Sequence, residues 1–148
     1  MMGMTAEDFL KELYESCDSI VAYLNIIDSD FAGFKAMPLI QNAIMYNVIN
    51  IHEIICNIVS YKDDIGNKDI HDLYNSIEHR YNTMKSDLQN CRDKSAHNDV
   101  EDISLETVWN LCIDDITKLR QELELQYIRK VKSTKRKLLY PKKDLYEI

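Results

Sequence analysis

The sequence predicts an all-α fold, an antiparallel up-and-down bundle of four main helices with a basic C-terminal tail. Three observations carry this expectation. Only three glycines and two prolines occur in 148 residues, too few for the many turns of a sandwich or barrel. Apolar residues recur every three or four positions along four long stretches, the helical period. The intervening segments are short and carry the Asp, Ser, Asn, Gly or Pro that end helices. The length fits one domain able to bury a single core. The bundle is expected over residues 1–128 and the tail over 129–148.

The first helix is expected from Thr5 or Ala6 to about Ile27, with Phe9, Leu10, Leu13, Cys17, Ile20, Val21, Leu24 and Ile27 as its stripe. Thr5 followed by Asp8 resembles a capping box with a shorter acid. Asp28-Ser29-Asp30 breaks the helix, and Phe31 to Met37, containing Gly33, reads as a short connection. Pro38 suits a first helical turn. The second helix then carries Leu39, Ile40, Ile44, Val48, Ile51, Ile54, Ile55, Ile58 and Val59, and its wide apolar face predicts the most buried of the four. Its His52 reads as a satisfied or rim histidine rather than a ligand.

Residues 62–67 form the next loop, and a third helix starts near Asp69 with Ile70, Leu73, Tyr74, Ile77, Tyr81, Met84 and Leu88 inward. His71 and His79 fall off that stripe and should face solvent. The pattern lapses from Gln89 to Asp99. Ser104 suits an N-cap for the last helix, which runs through Leu105, Val108, Trp109, Cys112, Ile116, Leu119, Leu123 and Tyr127 and frays before Pro141.

Charge is unevenly distributed. Residues 1–128 carry 10 Lys and Arg against 23 Asp and Glu, whereas residues 129–148 carry 8 against 2. The acidic body repels phosphate at long range, and the tail, including Arg129, Lys130 and Lys132, can reverse that locally. Cys17, Cys56, Cys91 and Cys112 are widely spaced, with no CxxC pair, which points to reduced thiols in a cytoplasmic protein rather than a zinc cluster. No metal and no cofactor is expected, since His52, Glu53, His71 and His79 lack a ligand spacing. No apolar run approaches the ~18 residues that span a bilayer, and the N-terminus lacks a signal-peptide layout, so no membrane is expected.

The most informative stretch is Cys91-Arg92-Asp93-Lys94-Ser95-Ala96-His97-Asn98-Asp99. Arginine is a permanent cation with a forked donor array suited to phosphate, and histidine trades protons near neutral pH. On a straight helix, residues five apart point about 140° away from each other. Arg92 and His97 therefore converge only if the helix ends or bends within the motif, or if the arginine wraps back. Ser95, Asn98 and Asp99 favour a helix end through local backbone bonding. The simplest competing expectation is a polar loop in which Arg92 pairs with Asp93 or Asp99.

A helical stretch ending in Cys91-Arg92-Asp93-x-x-x-His97, an acidic linker through Asp102, and a hydroxyl-capped amphipathic helix with a tryptophan together resemble the HEPN family (higher eukaryote and prokaryote nucleotide-binding domain). The likeness spans about residues 5–127, and its specific part lies within 91–112. Asp93 stands where Asn is commoner in that family. Asp99 stands where the toxins paired with nucleotidyltransferase antitoxins carry tyrosine. The resemblance implies a metal-independent ribonuclease acting as a homodimer, with two motifs meeting in one composite site on an RNA substrate. It further implies His97 as acid/base, Arg92 as phosphate clamp, Asp93 as the orienting group and Lys94 as an extra RNA contact. A toxin or defence effector with an antitoxin or nucleotidyltransferase partner would fit. A family member that has lost cleavage and only binds nucleotide, RNA or a partner protein is the alternative, as is a helical adaptor.

Overall fold

The computed structural model describes residues 4–96 and 104–132. Among them the fold is all-α, without a strand. The elements are α1 (Ala6–Ile26), α2 (Phe31–Ala36), α3 (Pro38–Tyr61) and α4 (Lys68–Ala96), followed by one unbroken helical run. That run comprises α5 (Leu105–Asn110), a π-helical stretch (Leu111–Ile116), α6 (Thr117–Gln126) and a second π-helical stretch (Tyr127–Lys132). α3 packs against α1 and α4, and α6 packs against α1 on another side of the same core.

The helix starts obey local chemistry. The Thr5 hydroxyl accepts from the Asp8 backbone N–H at 3.1 Å, and the Asp8 carboxylate accepts from the Thr5 N–H at 2.9 Å, completing the expected capping box. Pro38 occupies the first turn of α3, where its missing N–H costs nothing. The Ser104 hydroxyl accepts from the Thr107 N–H at 3.3 Å. α1 ends as Asp28 and Ser29 turn left-handed, at φ 53° and 51°, and the Ser29 N–H closes onto the Leu24 carbonyl at 2.8 Å.

Several expectations are corrected. The Phe31–Met37 connection is itself a short helix, capped by Asp30, whose carboxylate accepts from the Ala32 N–H. Its Phe34 is 1% exposed and lies 5.5 Å, centroid to centroid, from Trp109, with Phe31 at 5.6 Å from the same indole. The aromatic trio docks α2 onto α5. α3 is not the most buried helix: it buries eight of 24 residues, against eight of 21 in α1, because its outward side faces solvent. α3 is also long and apolar enough to cross a membrane by length and composition, contrary to the expectation that no segment is. Its most apolar side, with Ile44, Val48, Ile51, Ile55 and Ile58 fully buried, is spent on the bundle core instead.

α4 does not lapse at Gln89. Met84, Leu88 and Cys91 continue its buried stripe, so helical packing carries the chain through the polar residues to Ala96. The last helix runs past residue 128, with Val131 buried at the core's edge. Its π-helical turn widens where the Thr117 N–H reaches the Cys112 carbonyl, which also accepts from the Thr117 hydroxyl at 2.8 Å.

Candidate functional site

Arg92 and Asp93 lie on the exposed outer side of the last turns of α4, and Lys94 is half-buried beside them. His97 lies outside the described residues. The motif's arginine is therefore displayed from a continuing helix rather than from the loop that the lapse in periodicity suggested. Its Nε donates to Glu53 Oε1 on α3 at 3.0 Å, while Nη1 lies 3.7 Å from Asp93 Oδ1. The Glu53 hydrogen bond pushes the guanidinium pKa further up, so the cation is permanent. A phosphate would bind through the guanidinium's remaining donors or displace Glu53.

The remaining basic candidates stand elsewhere. Arg129, Lys130 and Lys132 belong to the second π-helical stretch, with Arg129 and Lys130 exposed. The end of α6 sits beside the start of α4, since the Gln126 side-chain amide donates to the Ser76 hydroxyl at 3.0 Å. Ser76 and Arg92 are 16 residues apart in α4, roughly 24 Å along the axis. The structure does not bring these basic residues together with Arg92.

What does lie beside Arg92 is a groove of about 310 Å³ between α3 and α4, lined by His52, Cys56, Val59, Tyr74, Tyr81, Lys85 and Gln89. His52 and Cys56 are one helical turn apart, with Nε2 and Sγ 3.5 Å from each other. His52 is buried, and its Nδ1 has no hydrogen-bond partner. Of the two expectations for it, a satisfied or a rim histidine, the unpartnered Nδ1 corrects the first, and its place in the groove lining agrees with the second. Burial lowers its pKa, with Arg92 adding to that and Glu53 opposing it. Burial, and then Glu53, raises the Cys56 thiol. Both groups are accordingly neutral near pH 7, and the pair is not a poised thiolate–imidazolium couple.

Sequence reasoning missed Glu53 as the partner of Arg92, and it missed the groove. One signal was available. Glu53 is the single charged residue in the 24 of α3, and an isolated charge on an uncharged helix calls for a partner. His71 and His79 behave as expected: His79 is exposed, and His71 Nδ1 lies 3.6 Å from Asp63 on the surface. Cys17, Cys91 and Cys112 are buried, and burial pushes the Cys91 thiol up to about 11, which rules it out as a ready nucleophile. No cluster of three or more potential metal ligands occurs among the described residues.

The neutral, buried His52 has a consequence for stability. Above about pH 7.5, a unit over the ordinary histidine value, the imidazole is neutral both in the fold and in the unfolded chain, and it contributes no pH dependence. Below that, the unfolded chain takes up the proton first, because the folded pKa is lowered. Stability should therefore fall as pH drops from 7 through the unfolded value toward the folded one. Melting curves between pH 7.5 and 5.5 should show His52→Gln losing less stability than the wild type over that interval. Equal slopes would mean that His52 protonates freely in the fold.

In comparison with known proteins, no family model, no curated protein and no solved structure matches the chain.

Proposed function

We propose that this chain is a metal-independent endoribonuclease of the HEPN type, working as a homodimer, with its helices in that family's four-helix up-and-down arrangement. The observation that carries the reading is the display of Arg92. Its half-exposed side chain stands in the last turns of α4, five residues before His97 in the chain, held by Glu53 from the neighbouring helix. In the reaction, the RNA 2′-oxygen attacks the adjacent phosphorus as the bond to the 5′-oxygen breaks. A 2′,3′-cyclic phosphate and a 5′-hydroxyl result. His97 would take the 2′-proton, and the second copy's His97 would donate one to the leaving oxygen. Arg92 would hold the charge developing on the phosphoryl oxygens. Asp93 would steer Arg92, and Lys94 would add a phosphate contact. A toxin or defence role in the cytoplasm, with an antitoxin or nucleotidyltransferase partner, fits this chemistry.

The acidic body favours a second reading, a non-cleaving module that binds nucleotide, RNA or a partner protein. One experiment separates the two. Purified wild type and His97→Ala are incubated with total RNA in EDTA, and the cut ends are read. Cyclic phosphate ends made only by the wild type are expected. Intact RNA across several RNA classes would leave the binding module, and equal cutting by both proteins would remove His97 from the site.

A further inference from the structure

α3 is chemically unlike every other long helix of the fold. α1 shows Lys11, Glu12, Glu15 and Asp18 to solvent, and α4 shows Asp72, Glu78 and Lys85. A surface helix ordinarily opposes its apolar stripe with such a charged face. α3 does not. Its solvent side runs through Leu39, Asn42, Tyr46, Ile49, Glu53 and Cys56, with one charge among them. Leu39 is 83% exposed and Tyr46 72%, while Ile49 is half-buried. The spacing alternates three and four residues, the seven-residue period of a seam that meets another helix. A seam with a single charge among Leu, Tyr, Ile, Asn and Cys has the make-up of an interface centre, where Lys, Asp and Glu are depleted and Tyr is enriched.

We infer that the outward face of α3 is the surface on which two copies of this chain meet about a two-fold axis, with Arg92 at its margin. The inference rests in part on the homodimer reading above, since it names the face that would bring two Arg92 side chains toward one site. Charge selects the second copy as the occupant. Residues 1–128 carry 23 acids against 10 basic groups, so two copies repel through most of their surfaces. The α3 face and its margin are the exception, because their charges balance: Glu53 and Asp93 flank Arg92 at 3.0 and 3.7 Å, and Lys85 stands exposed two turns earlier on α4. A two-fold operation meets each patch with itself, which suits a face whose margin carries both signs. Glu53 of one copy can then exchange its partner for the second copy's Arg92 without burying an unmatched charge. A lipid surface would be a poorer fit, because the other side of α3 is committed to the core and the stripe is one residue wide.

The test is sedimentation at tens of micromolar of the wild type, Tyr46→Asp, Leu39→Asp and a control, Leu125→Asp, on α6. Tyr46 and Leu39 stand in solvent, so both variants should keep the wild-type circular dichroism and melting temperature. The wild type and the control are expected to be dimers. Each α3 variant should raise the dimer dissociation constant by about 100-fold or more, because the symmetry buries the new charge twice. A dimer unaffected by either α3 substitution would overturn the proposed face while leaving the homodimer intact. A strictly monomeric wild type would overturn the face and the composite site together. RNA cleavage is measured in the same samples, so loss of the dimer and loss of the ribonuclease reading remain separate results.

Discussion

Arg92→Ala is expected to lower RNA cleavage by about 10²–10³-fold, the usual loss when one donor to a developing oxyanion is removed. The fold should not notice. Arg92 and Glu53 are each about half exposed, at 47% and 49% of their side chains, and surface ion pairs of this kind add little to stability. The melting temperature should therefore stay at the wild-type value while activity falls. Arg92→Lys should recover little of the lost rate, because an ammonium supplies a point charge without the guanidinium's planar fork. Single-turnover cleavage of a defined RNA, alongside thermal melts, reads both effects. Full activity in Arg92→Ala would take the arginine out of the site. A collapsed melting temperature would instead make Arg92 a structural strut between α3 and α4.

Phe34→Ala should be the most damaging change to stability in the region between α1 and α3, costing about 3–5 kcal/mol. Phe34 is 1% exposed, stacks on Phe31 and packs at a tilt against Trp109, so its removal opens a cavity beneath a helix of only six residues. α2 has little else to hold it. Gln41 helps, donating to the carbonyls of Phe34 and Lys35 at 2.8 and 3.1 Å, and those bonds depend on α2 staying in place. Denaturant unfolding monitored by Trp109 fluorescence measures the loss directly. A cost below about 1 kcal/mol would show that α2 contributes no packing of its own.

Much of the helical plan was legible in the sequence. The capping box at Thr5 and Asp8, Pro38 in a first turn and Ser104 as an N-cap are local signals, each acting within four residues, and each appears where expected. The stripes of α1, α3 and α4 were legible for a similar reason, since burial selects apolar residues at the helical period. α2 was not. Six residues hold fewer than two turns, too short for a period to register, and the helix exists because Phe34 finds Trp109, 75 positions away in the chain. The polar composition after Gln89 suggested that α4 ends early. Leu88 and Cys91 packing at 0% exposure outweighs that weak local preference.

The candidate site divides in the same way. Arg92 and His97 were singled out by residue type and spacing alone, which is chemistry that the chain carries whatever its shape. Three-dimensional packing decided the rest. It set Glu53 against Arg92 across 39 positions, buried His52 with an unpartnered nitrogen, and placed Arg129 and Lys130 far from the motif. The reason is range. Capping and periodicity act over one or two turns and are written into neighbouring residues. The partner of an exposed charge depends on which helices lie side by side, and only the closing of the whole core determines that.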